Sequence, residues 1–321
     1  MKKLLPLLLV ITSCAFGQVI MPLNTNWEFS NAKKNEWLPA RVPGTIHQDL
    51  LIHKKIEDPF FRFNEKEQFW LEQEDWTYRT KFVITKSVLK NQMVELVFEG
   101  IDTYADIFLN GSQIRSTDNM FISWEIPCQS LLKEGENELV VVFKSATKIG
   151  MEKLRKSPYL VPAVNEYADD DKRSSVFTRK APYHYGWDWG PRIVTCGLWK
   201  PVYLRIWNTA RINSSFHELS RLNREVAKYN TEVEIVATKE IKAQVELKVN
   251  GVKITNTAVY LKPGQNSLKT TFEIVNPKLW WSKGLGQQPL YTVTSSVIVD
   301  GKSIAKENKR IGVRKIEWIQ E

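Results

Sequence analysis

A chain of 321 residues exceeds the size at which a single hydrophobic core stops growing, roughly 250–300 residues, so two domains with separate cores are expected. Hydrophobic residues make up 43% and charged residues 25%, the mix of a soluble globular protein, which excludes a disordered chain or a bundle of membrane spans. The formal charge is +9, but Lys and Arg are interleaved with Asp and Glu rather than gathered into a basic stripe, and this excludes a nucleic-acid groove.

The first residues read as an export signal over residues 1–17: Lys2 and Lys3, an apolar run over 4–11, and the small-x-small site Ala15-Phe16-Gly17. The mature chain then begins near Gln18, in the periplasm or outside the cell. The apolar run is too short for a transmembrane segment, which needs about 20 residues. Ile11-Thr12-Ser13-Cys14 loosely resembles a lipobox, so acylation of Cys14 is the alternative to simple secretion, which is preferred. Removal of the signal leaves Cys128 and Cys196, too few for a disulfide scaffold; two buried thiols, or at most one bridge, are expected.

From residue 27 to 207 the signals are those of short strands. Val94, Leu96 and Phe98 alternate with Glu95 and Glu99, the period of a half-buried strand with one wet face. Residues 105–109 enter Asn110-Gly111, which supplies the positive φ angles of a two-residue hairpin turn. Residues 139–143 are continuously apolar, as in a strand covered on both sides. Periodicity disappears over 144–180, where Pro158, Pro162 and the run Asp169, Asp170, Asp171 predict a long loop, a candidate wall for a binding site. The acidic run reads as a solvated loop, since it lacks the spaced oxygen ligands and glycine of a calcium site.

After residue 208 alternation resumes. Val245, Leu247 and Val249 oppose Glu246 and Lys248 and end at Asn250-Gly251; a further hairpin turns at Asp300-Gly301. An immunoglobulin-like sandwich fits residues 210–321. The remaining length leaves no room for an α/β catalytic barrel, which takes about 250 residues.

The segment that carries chemistry is Arg179-Lys180-Ala181-Pro182-Tyr183-His184-Tyr185-Gly186-Trp187-Asp188-Trp189-Gly190-Pro191-Arg192. A carboxylate flanked by Trp faces suits a pyranose, whose hydroxyls take charged acceptors and whose C–H face takes an aromatic plane. The alternative makes Trp187 and Trp189 core anchors, with Asp188 pairing Arg192 or capping a turn. His184, one of 4 His, has no second ligand at metal spacing, so no metal is expected. The Ser residues form no Gly-x-Ser-x-Gly elbow and the Cys residues have no evident His partner, so no nucleophilic triad is supported.

Several ordered blocks over residues 23–318 resemble the amino-terminal portion of β-mannosidases of glycoside hydrolase family 2. They include Val42-Pro43-Gly44-Thr45-Ile46-His47, Glu74-Asp75-Trp76-Thr77-Tyr78-Arg79, Phe98-Glu99-Gly100-Ile101-Asp102-Thr103-Tyr104, the Gly186-to-Pro191 motif, and Trp280-Trp281-Ser282-Lys283-Gly284-Leu285-Gly286. The resemblance implies an all-β chain: a jelly-roll, galactose-binding-like sandwich over residues 18–209, then an immunoglobulin-like sandwich over 210–321. Residues 311–317 look like the strand that closes the second sandwich before a (β/α)₈ barrel, which is expected to be absent here. It implies retaining hydrolysis of terminal non-reducing β-D-mannose by two Glu of that barrel, neither with a counterpart in this sequence, so no catalytic residue is assigned. Asp188, with Trp187 and Trp189, is the expected sugar contact, and the barrel, in cis or in trans, the expected partner. The chain alone is expected to be inactive and to need no cofactor; a stand-alone lectin-like module binding mannose-containing glycans is the competing reading.

Overall fold

The structure, a computed structural model, describes residues 17–34, 36–159, 161–163, 166–168 and 173–320. The acidic run, the expected leader and Cys14 lie outside the described residues, Gly17 excepted. Two compact units divide the chain, Ile20–Ile206 and, with the described residues up to Val19, Trp207–Glu321. Among the described residues no helix is long and apolar enough to cross a membrane.

In the first unit a six-stranded antiparallel sheet runs in the order Leu38–Ala40, Trp27–Asn31, Trp76–Ile84, Gly135–Phe143, Tyr104–Leu109, Ser112–Asp118. A four-stranded sheet orders Gln18–Pro22, Val202–Trp207, Met93–Phe98 and Trp124–Pro127. One apolar cluster draws on both, with Tyr78, Ile107 and Val141 from the larger sheet and Leu96, Ile126 and Leu204 from the smaller, so the sheets are the two layers of the jelly-roll sandwich. Trp76–Ile84 illustrates the cause: Trp76, Tyr78, Thr80, Phe82 and Ile84 are buried while the residues between them face outward. Each large side chain buried this way stabilises by about 1.5–3 kcal/mol.

Local turn chemistry behaves as expected. Asn110 and Gly111 take φ of 51° and 83° and close the hairpin between Tyr104–Leu109 and Ser112–Asp118. Three sequence expectations need correction. Glu95 does not face water: it is buried, with Arg205 Nη1 3.3 Å from its Oε2, because a neighbouring strand supplies a cation at that register. Residues 139–143 do lie inside the larger sheet, but Val140 and Val142 are only half-buried, so one face of this strand is partly open. The expected loop over 144–180 begins with a helix, Ala146–Lys156, whose N-cap Ser145 accepts a hydrogen bond from the Lys148 N–H at 3.0 Å. Its last turn carries Lys153, Arg155 and Lys156, which complement the helix dipole.

The second unit is a seven-stranded immunoglobulin-like sandwich. Ala210–Leu222, Val226–Ala237 and Gly264–Val275 form one sheet; Val252–Leu261, Ile241–Val249, Tyr291–Val299 and Lys302–Ile311 form the other, in those spatial orders. Val233, Ile235, Val245, Leu247, Val293 and Val297 meet in its core. Both hairpin turns have positive φ, at Asn250 and Gly251 (48° and 84°) and at Asp300 and Gly301 (49° and 74°). Glu246 is buried rather than solvated, held by Lys248 at 2.9 Å and Lys253 at 3.2 Å. Residues 312–317 add no strand; Val313 makes a single bridge to Leu279.

Candidate functional site

The aromatic motif folds as a short hairpin of the first unit. Tyr185–Trp187 pairs antiparallel with Gly190–Arg192, with Tyr185 opposite Arg192 and Trp187 opposite Gly190, so Asp188 and Trp189 form the two-residue turn. Gly186 is required below it: its φ is +86°, and a Cβ there would lie 2.7 Å from the Tyr167 Cβ and 3.2 Å from the Arg192 Cβ. Asp188 is exposed, Trp187 half-buried and Trp189 82% exposed; the two indole centroids are 6.1 Å apart at 51°. Trp189 is therefore no core anchor.

Nor does Asp188 pair with Arg192. Among the described residues no side chain hydrogen-bonds or ion-pairs with the Asp188 carboxylate, whereas Arg192 is committed elsewhere. Its Nη2 and Nε donate to Glu72 at 2.9 Å (Oε1) and 3.0 Å (Oε2), and its Nη1 to Glu166 at 3.3 Å and the Tyr185 carbonyl at 3.2 Å. Burial raises the Glu72 carboxyl, with Arg192 opposing the shift. These groups lie beside a cavity of about 950 Å³ that Gln73, Met151, Arg155, Trp187 and Asp188 also line. A second hollow of about 440 Å³ is bordered by Phe60, Phe63, Trp189 and again Asp188. A carboxylate that lines two open hollows can accept hydrogen bonds from a ligand's hydroxyls.

Sequence reasoning missed Glu72 and Glu166, which have no local signal: Arg192 meets Glu72 across 120 positions. It also missed a buried polar cluster at the hairpin's entry. Lys180 Nζ, with no side-chain exposure, donates to Asp102 Oδ2 at 2.5 Å and to the Thr195 carbonyl at 2.7 Å. His184 Nδ1 stands 3.6 Å from the same Asp102 oxygen, beyond hydrogen-bond reach. His184 is thus a packing residue, and among the described residues no group of His, Cys, Asp or Glu could hold a metal ion. Cys128 and Cys196 are free; burial pushes the Cys128 thiol up to about 12 and raises the Cys196 thiol as well.

Burial lowers both His184 and His47 to about 4, and in each the charge of Lys180 adds to the effect. A histidine depressed in the folded state contributes stability that is present above its unfolded value, near 6.5, and lost as pH falls through the folded value. The two histidines are therefore expected to take stability from the first unit between pH 6.5 and 4, each pH unit of separation being worth about 1.4 kcal/mol per histidine, while the raised carboxyls of Glu72 and Asp49 work in the opposite direction. Urea midpoints at pH 7.5 and 4.5 check this, and the drop should shrink in His184→Gln; an undiminished drop in that variant would place the acid sensitivity elsewhere.

Two β-sandwiches in sequence, the first presenting an aromatic and carboxylate hairpin beside an open cavity, define a modular all-β chain. Residues 27–200 match the family described as glycosyl hydrolase 2 galactose-binding domain-like, and residues 210–314 match glycosyl hydrolases family 2. The chain belongs to glycoside hydrolase family 2. It is 33% identical over 307 residues to a β-mannosidase B of Thermothelomyces thermophilus, covering 94% of this chain and 35% of that protein. A β-mannosidase B of Aspergillus flavus is 33% identical over 316 residues, covering 96% and 36%. Among solved structures, the β-D-mannosidase of Dictyoglomus thermophilum is 39% identical with a TM-score of 0.85, over 93% of this chain and 36% of that one. An exo-chitosanase of Amycolatopsis orientalis, 17% identical with a TM-score of 0.70 over 92% and 34%, shares the fold. The chain spans about a third of the length of the curated relatives it matches.

Proposed function

We propose that these residues form the amino-terminal part of an exported β-mannosidase that removes terminal non-reducing β-D-mannose with retention of configuration. The observation that carries this reading is the exposed carboxylate of Asp188 between two Trp, in a chain 39% identical to a solved β-mannosidase. Retaining hydrolysis uses two carboxyl groups about 5–5.5 Å apart, one protonating the leaving oxygen and one forming the glycosyl intermediate. In this reading both belong to the part of such enzymes beyond the matched third. Asp188 accepts hydrogen bonds from the hydroxyls of the non-reducing sugar, and Trp187 and Trp189 wall the pocket. Binding at hydroxyls remote from the anomeric carbon then orients and distorts the ring without any proton transfer by Asp188.

The test joins the chain to the catalytic part of a β-mannosidase of the family and compares chromogenic β-mannoside, β-galactoside and β-glucuronide. We expect kcat/KM for the mannoside to exceed the others by at least about tenfold, the scale set by a few differential polar contacts, and the 321 residues alone to give no turnover. A preference for galactoside or glucuronide would sink the substrate assignment. The exposed Trp189 also suits a lectin-like module, and that reading gains if the chain alone binds mannose in calorimetry while the joined protein does not hydrolyse any of the three substrates.

A further inference from the structure

The hairpin that carries Asp188 has legs of only three residues each, and an isolated two-stranded hairpin is marginal in water. Its turn is exposed and Asp188 has no side-chain partner among the described residues, so nothing at the tip sets where the carboxylate points. What holds the hairpin is at its base. Arg192, the last residue of the second leg, is buried. One edge of its guanidinium grips Glu72 in the fork geometry at 2.9 and 3.0 Å, tying the leg to the turn Phe69–Gln73. The other edge reaches Glu166 at 3.3 Å and the carbonyl of Tyr185, its own register partner across the hairpin. Glu166 is fixed in turn by the Ser175 N–H, which donates to its second oxygen at 2.9 Å. The Arg192 side chain also stacks on the Tyr185 ring, 5.4 Å from guanidinium carbon to ring centroid, and the hairpin's first leg receives the Tyr167 N–H at the Tyr185 carbonyl, 3.0 Å.

We propose that Arg192 is the positioning residue for Asp188: clamped between Glu72 and Glu166, it fixes the base of the hairpin and thereby the place of the sugar-contacting carboxylate. The proposal rests on the reading of Asp188 as the sugar contact. Two carboxylates from different segments on one planar five-donor cation constrain that cation in direction as well as in place, which a lysine ammonium cannot reproduce. A sugar-contact group displaced by about 1 Å forfeits rate without any change in the reacting groups.

The first test needs no activity. In the 321-residue chain, amide hydrogen exchange of peptides covering residues 183–193 is compared for wild type, Arg192→Lys and Glu72→Gln. Arg192→Lys should speed exchange there by at least about tenfold, with Glu72→Gln in the same direction but weaker and the strands of the sandwich unchanged. The second test is kinetic, in the enzyme completed with its catalytic part. Arg192→Lys should lower kcat/KM by about ten- to a hundredfold, and Arg192→Lys combined with Asp188→Ala should be no worse than Asp188→Ala alone, since one residue acts through the other. Additive losses, or a hairpin no looser in the variants, would overturn the role of Arg192. If Arg192→Lys does not fold, Glu72→Gln decides by the same two measurements. Unchanged kinetics in Asp188→Ala would instead remove the sugar-contact reading beneath the proposal, while the exchange data would still say whether Arg192 holds the hairpin.

Discussion

Asp188→Ala, made in the chain joined to the catalytic part of a family β-mannosidase, should reduce kcat/KM for a β-mannoside by about ten- to a hundredfold while leaving the stability of the first unit within about 0.5 kcal/mol of wild type. The first half follows from the chemistry of a carboxylate facing hydroxyls: hydrogen bonds to an ionised acceptor are worth about 1.5–3 kcal/mol each, and in the proposed pocket the alanine returns none of them. The second half follows from the structure, since the Asp188 side chain is exposed and, among the described residues, is neither hydrogen-bonded nor ion-paired. If the contact strengthens as the ring distorts, kcat carries the loss; if it is made equally with bound substrate and transition state, KM does. Asp188→Asn should fall between, as it keeps one acceptor oxygen and loses the charge. An alanine variant with wild-type kcat/KM would show that the carboxylate does not meet the sugar.

Lys180→Met should destabilise the first unit by about 3–5 kcal/mol, the cost of leaving a buried charge without its partner. Lys180 and Asp102 have side-chain exposures of 0% and 1%, and their 2.5 Å contact is the closest neutralising interaction either makes. Remove the ammonium and, among the described residues, Asp102 keeps only the Thr103 hydroxyl as a hydrogen-bond donor, while the Thr195 carbonyl loses the Lys180 N–H. His184 stays the weaker partner at pH 7.5, because burial, the largest cause of its lowered value, persists when the Lys180 charge is removed. Combining Lys180→Met with Asp102→Asn removes both charges and should recover most of the loss, since a buried ion pair and a neutral replacement of similar volume are often close in energy. Urea denaturation followed in the transition of this unit measures both variants. A single variant within 1 kcal/mol of wild type would mean that water or another group solvates Asp102.

How far the sequence leads depends on the distance over which each signal acts. The pairs Asn110-Gly111, Asn250-Gly251 and Asp300-Gly301 were legible as hairpin turns because the requirement for positive φ is met by those residues themselves. The aromatic segment around Asp188 was legible by composition, since three aromatic residues, a carboxylate and two Gly in six positions fit neither a regular helix nor a central strand. The helix Ala146–Lys156 was obscured by the Pro and Asp residues that follow it, although Ser145, three residues before Lys148, is a local cap signal.

Charge partners were a different matter. Alternation in Val94, Glu95, Leu96 implied a wet face for Glu95, and the structure instead buries it against Arg205, 110 positions away. Lys180 and Asp102, 78 positions apart, give no hint of each other along the chain. The sequence by itself determined the all-β class, the hairpin turns and the kind of chemistry at Asp188, because backbone conformation and side-chain type are properties of neighbouring residues. Only the tertiary structure decided that Asp188 stays in the open with no side-chain partner among the described residues while Arg192 is shared by Glu72 and Glu166: the choice of partner is made by strand order and loop packing, which bring distant segments to within a hydrogen bond of one another.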